Sequence, residues 1–167
     1  MPSTYTLIKG ETIGSSASSY TFTAIPSTYT DLVVRMSVRS THSDFDFITI
    51  SLNSNTTDGS SIYLRGDGST ANSNDSGNAV TQYFIPGTGQ TSNTFGSCEI
   101  YLSNYTVSAA KPIGTFAVGE NNATFSYITA VASLHTATAT VTSIGLTPAI
   151  GQLTSGSSFY LYGIKNS

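Results

Sequence analysis

Hydrolysis by a serine nucleophile needs a histidine to take the hydroxyl proton and a carboxylate to orient that histidine. This 167-residue chain has two histidines, His42 and His135. His42-Ser43-Asp44 brings the three residue types together in sequence. Consecutive residues of an extended chain point to opposite faces, however, so they cannot form the required line of hydrogen bonds, and the segment reads as a polar loop entering a strand. Paired carboxylates would support glycoside cleavage if two of them met across a cleft. Asp31, Asp58, Asp67 and Asp75 lie at loops and strand ends, and Asp44 and Asp46 share a strand face expected to meet solvent, which leaves Glu99 and Glu120 as candidates. The chain has no Trp to serve as a platform for a sugar. The expectation is no catalytic residue and no enzyme.

A hard cation would need several oxygens from a flexible loop, and Asp67-Gly68-Ser69 with Asn72-Ser73-Asn74-Asp75 suggests one. The twelve-residue calcium-loop pattern closed by Glu is absent, so a solvated Asx-rich loop is the better reading. With one cysteine, Cys98, the chain can form no internal disulfide and no cysteine metal cluster. No cofactor and no metal are expected. Six basic residues against nine acidic ones, a formal net charge of -3, offer no basic patch for phosphates, so nucleic acid is an unexpected partner. No run approaches the roughly eighteen apolar residues of a membrane-spanning helix, and Met1-Pro2-Ser3-Thr4-Tyr5 does not read as the start of a secretory signal; neither membrane association nor export by that route is expected.

The elements that must position these residues are strands. Leu32, Val34, Met36 and Val38 alternate with Arg35, Ser37 and Arg39; Ile48, Ile50 and Leu52 alternate likewise, as do Cys98, Ile100 and Leu102, which places Cys98 in the core. Similar patterns predict strands over 5–9, 20–24, 31–39, 45–52, 62–65, 80–85, 97–102, 113–118, 124–134, 139–146 and 159–164, about eleven in all. The Ala-rich stretch from Ala130 to Ala139 is also read as strand, because Thr136, Thr138 and Thr140 lose side-chain freedom in a helix. Turn chemistry separates the strands at Asp58-Gly59, Gly66-Asp67-Gly68-Ser69, Pro86-Gly87-Thr88-Gly89 and Gly119-Glu120-Asn121-Asn122. Short strands at such spacing, with essentially no helix, predict one all-β domain over residues 1–167: an antiparallel β-sandwich, jelly-roll-like. The stretch from Gly66 to Asn78 is the longest expected loop.

Charged residues are 9% of the chain, against about a quarter in ordinary domains, and Ser and Thr make up roughly a third. So neutral a surface does little to keep molecules apart, which favours burial in an assembly. Ten tyrosines supply contact area with a polar tip, among them Tyr63, Tyr101, Tyr105, Tyr127, Tyr160 and Tyr162 in or beside predicted strands.

Several segments together carry a resemblance: Tyr5-Thr6-Leu7-Ile8, the run from Phe22 to Leu32, Ile100-Tyr101-Leu102-Ser103-Asn104-Tyr105, Glu120-Asn121-Asn122-Ala123-Thr124, and Tyr160-Leu161-Tyr162-Gly163-Ile164-Lys165. In that order the chain resembles small structural proteins of tailed bacteriophages, including cyanophages, from Tyr5 to Lys165. The resembling motifs are turns and strand edges, and no catalytic residue is carried over. The resemblance implies a jelly-roll-like virion protein, made in the host cytoplasm, that forms a homotrimer. Its implied role is capsid decoration, or cement, bound to the major capsid protein. The alternative is a tail or fibre module recognising a host glycan or protein through the polar loops Gly66 to Asn78 and Pro86 to Asn93. Exposed sheet edges near Tyr5 and Leu7, or on the terminal strand with Phe159, Tyr160 and Tyr162, are the expected interface.

Overall fold

The computed structural model describes residues 4–75, 83–122 and 124–165. They form twelve strands and no helix: β1 (Tyr5–Thr12), β2 (Tyr20–Phe22), β3 (Asp31–Val38), β4 (Asp46–Leu52), β5 (Gly59–Gly66), β6 (Ala71–Asp75), β7 (Tyr83–Ile85), β8 (Gly96–Leu102), β9 (Lys111–Asn121), β10 (Phe125–His135), β11 (Ile144–Pro148) and β12 (Ser158–Ile164). All pair antiparallel, in one eight-stranded sheet of order β1-β12-β3-β8-β9-β10-β5-β6 and one four-stranded sheet of order β2-β11-β4-β7.

That order contains a complete jelly roll. The chain passes from β1 to β2, then β3 to β4, β7 to β8 and β11 to β12, changing sheet at each step. The two sets of four, β1-β12-β3-β8 and β2-β11-β4-β7, are the interleaved Greek-key halves of that fold. Two hairpins are added, β5-β6 between β4 and β7, and β9-β10 between β8 and β11. Both join the large sheet beyond β8 and widen it to eight strands. The expected jelly-roll sandwich is therefore present, with one strand more than predicted.

One apolar cluster fills the space between the sheets. The large sheet contributes Leu32, Val34, Ile100, Leu102, Phe159 and Leu161, and the small sheet Phe22, Ile48, Ile50, Ile85, Ile144 and Leu146. Cys98 is buried among them as expected. Register explains the layering: Val34 lies opposite both Ile100 and Leu161, and Met36 opposite both Cys98 and Phe159, so the inward rows of β12, β3 and β8 form one apolar surface. Each such side chain stabilises by about 1.5–3 kcal/mol on burial. Tyr105, fully buried, donates its hydroxyl to the Pro26 carbonyl and closes one end of the sandwich. Gly163 permits a close approach there, because a Cβ at that position would collide with the Tyr29 ring.

Several boundaries differ from the sequence reading. The expected loop from Gly66 to Asn78 is largely a hairpin: β6 pairs with β5 across a turn in which Asp67 Oδ1 accepts from the Thr70 and Ser69 amides, at 2.7 and 3.0 Å. Asn and Ser of low strand propensity are drawn into a ladder by the turn that precedes them. The strand expected over 139–146 begins at Ile144, since Asn53 holds the preceding backbone by accepting from the amides of Thr142 and Ser143. Of the strand expected over 80–85, residues 83–85 are β7 and the remainder lies outside the described residues.

Candidate functional site

The residues that suggested catalysis are engaged by the fold. The His42 ring faces the carbonyls of Asp44 and Phe45, at 3.3 and 3.2 Å, and the Asp44 carboxylate accepts from the Phe45 amide at 2.8 Å. Glu99 pairs with Arg35 across the strand ladder at 2.9 Å. Glu120 accepts from the Thr91 amide and hydroxyl at 2.7 and 3.0 Å. Glu99 lies opposite Phe116 in the register, which sets Glu120 four positions, about 13 Å, further along the sheet. Asp67, a cation candidate, has both carboxylate oxygens taken up by Ser69 and Thr70, and the Thr70 amide foremost among them holds it well below the usual carboxylate range. Among the described residues no group of three His, Cys, Asp or Glu side chains is placed to hold a metal ion.

Two charged residues expected at the surface are buried. Asp46, expected to meet solvent, is fully enclosed; its carboxylate accepts from Ser40 Oγ at 2.6 Å and from the amides of Phe47, Ile150 and Gly151 at 2.7, 3.1 and 2.8 Å. Arg39 continues the exposed row of β3 in sequence but turns inward where the strand ends. Its guanidinium donates to the carbonyls of Gln90, Thr91 and Thr94. Together with Glu120 it fixes the loop from Pro86 to Asn93. Gly87 is required there, because a Cβ would strike the carbonyls of His42 and Asp44. One polar loop proposed for recognition is thus pinned by buried charge. Alternation along β3 marks Arg39 as outward, whereas Asp46 shares the row of Ile48, Ile50 and Leu52, and only its charge argued for solvent.

No protein-family model, curated protein or solved structure matches this chain. The site must be found in its own residues.

The strongest surface feature is the outward face of the large sheet. On β9 the buried row is Lys111, Ile113, Thr115 and Ala117, and the exposed row is Pro112, Gly114, Phe116 and Val118. On β10 the buried row is Thr129, Val131, Ser133 and His135, and the exposed row includes Ile128 and Leu134. On β5, Ser61 is buried while Ile62 and Leu64 stand 62% and 65% exposed. The ordinary arrangement, apolar inside and polar outside, is blurred on these three strands: Ile113, Ala117 and Val131 join the core among inward Ser, Thr, Lys and His, and the outward rows carry large apolar side chains as well. Inside, Ser61 and Ser133 satisfy each other through a 2.8 Å hydroxyl bond, and Lys111 donates to the carbonyls of Val107, Ala109 and Thr138. Outside, register sets Phe116, Ala130 and Leu64 in one row across the strands and Val118, Ile128 and Gly66 in the next.

The expected interface residues fall at the other end of the same face. Tyr5, Leu7 and Tyr160 are exposed, and Tyr162 is half-buried with its ring edge-on to Tyr5. Phe159 is not at the surface: it points into the core and stacks on Tyr20 at 4.3 Å. The terminal strand β12 is internal, between β1 and β3, so it offers no edge, whereas β1 is a terminal strand of the large sheet. Tyr101 joins the two ends of the face, its hydroxyl donating to Asp31 at 2.6 Å, a bond that pushes the phenol up to about 12.

Proposed function

We propose that this protein is a non-enzymatic structural protein of a bacteriophage virion, a capsid decoration protein that assembles with copies of itself and bridges the major capsid protein. The assembly part rests on one observation, the large apolar side chains that β9, β10 and β5 turn outward. Large apolar side chains facing water lower solubility and stability unless something covers them, and contiguous patches of this kind mark contact surfaces. The sparse surface charge points the same way, since it gives separate molecules little repulsion. The virion part rests on the bacteriophage-like segments between Tyr5 and Lys165. A decoration protein holds a shell by several weak contacts at once, each strengthened by the effective concentration that the others create. A broad rigid sheet face suits that task better than a mobile loop.

The test is a cryo-electron microscopy map of the phage particle that carries the protein. Density on the head, in many copies at capsomer junctions and with the large sheet in contact, is the expected result. Density confined to the tail or fibre would replace decoration with host recognition, and absence from the particle would overturn the virion reading.

A further inference from the structure

We propose that the outward face of β9, β10 and β5 binds a second copy of this chain, sheet against sheet, about a two-fold axis. This names the first partner of the surface described above and rests on the assembly reading. Charge is the first argument. From Pro112 to Val118, from Ile128 to Leu134 and from Ser60 to Gly66, the outward positions carry no charge; beside them, Glu120 lies two positions past Val118, the Arg35–Glu99 pair adjoins Phe116 with its charges matched, and Asp75 on β6 lies opposite Ile62. A two-fold axis sets a patch against its own image, so any net charge on it would face itself. The outward rows of these three strands meet their image without that penalty, in a pairing that keeps the two Asp75 side chains apart.

Area is the second argument. Six large side chains stand partly exposed there, the largest of them Phe116, Ile62 and Leu64. Partly exposed side chains of this size offer roughly 50–100 Å² each, so the six supply about half of the ~800 Å² per partner of a stable interface, and the alanines and glycines between them add to it. Shape is the third. Ala130 and Ala132, with Ile62 and Leu64 of β5 and Ser73 and Asp75 of β6, line a hollow of about 530 Å³ on this face. A hollow next to a ridge such as Phe116 is what two sheets need to interdigitate at the roughly 10 Å spacing of a sandwich. The product sets the extensions of the two large sheets face to face, with each four-stranded sheet on the far side of its own large sheet and β1 free at each end for other contacts. The resemblance, by contrast, implies three copies.

Sedimentation velocity of the full chain from about 1 to 100 µM decides the matter. The expected mass is twice the 17.5 kDa chain, and Leu64→Glu, which alters a side chain already in solvent, should weaken the association about 30-fold or more. Phe116→Trp supplies a second readout, because the chain has no other Trp: its emission should shift to the red on dilution as the pair separates. A monomer throughout, a three-copy mass, a pair indifferent to Leu64→Glu, or emission unchanged on dilution would overturn the pairing. A monomer that still coats phage heads would remove the pairing and leave the decoration reading intact. A pair absent from the virion would do the reverse.

Discussion

Strands β3 and β8 lie in the same sheet as β9 and β10, yet the second pair turns large apolar residues to the outer face as well as to the core. On β3 and β8 the inward row is Leu32, Val34, Met36, Ile100 and Leu102, and the outward row includes Arg35, Ser37, Ser97 and Glu99. On β9 and β10 the inward row mixes Thr115, Thr129 and Ser133 with Ile113, Ala117 and Val131, and the outward row holds Phe116, Val118 and Ile128. The first pair belongs to the eight-strand jelly roll and faces the four-stranded sheet. The second belongs to the hairpins that widen the large sheet beyond it. The first region is built to hold the fold together, and the second to present a surface that the isolated chain leaves open.

Substitution on the two sides should separate these roles. The largest effect is expected from Phe159→Ala, which empties the stack with Tyr20 and should cost about 3–5 kcal/mol, read as a fall in the urea midpoint; a loss within experimental error would mean that the core does not depend on β12. A pH scan addresses the inward row of β10. Burial holds the His135 pKa below its ordinary value, with Lys111 acting in the same direction and Asp58 against it. The unfolded chain therefore takes up a proton first as the pH falls through about 6.5. Stability should be full above that pH and decline below it, and His135→Gln should flatten the curve between about 6.5 and 5. A curve as steep in the variant would assign the decline to other groups. The smallest effect is expected from Leu64→Ser, within about 0.5 kcal/mol of the parent in stability when the chain is dilute, with the difference appearing instead as higher solubility. A large loss of stability in the monomer would show that β5 is held by its outward residues, and the contrast between the two regions would collapse.

Much of the fold was legible because a period of two survives in the strands that carry most of the core. Leu32 to Val38, Ile48 to Leu52 and Cys98 to Leu102 were assigned to strands with the correct faces inward. The hairpin of β5 and β6 was missed because its second strand is Ala-Asn-Ser-Asn-Asp, a composition that reads as loop and becomes strand through pairing. Asp46 and Arg39 were misplaced for a related reason. Alternation sets Arg39 outward until the strand ends, and it sets Asp46 inward with Ile48; the charge argued against burial there, and donors gathered from residues 40, 47, 150 and 151 make it possible. Tyr5 and Leu7, expected at a sheet edge, are exposed on the edge strand β1, and Tyr160 is exposed on the internal strand β12; Phe159 is buried, and the apolar patch of β9, β10 and β5 was not anticipated.

By itself the sequence determined an all-β chain, its principal strands and a surface poor in charge, because composition and local alternation are properties of neighbouring residues. Which face of each strand is covered, which strands are internal and which apolar residues remain in water were decided only by the tertiary structure. Phe116 and Ile100 look alike in sequence, each in a β-branched and aromatic context. They differ because the four-stranded sheet lies over one side of the large sheet and leaves the other bare, and that contact joins residues far apart along the chain.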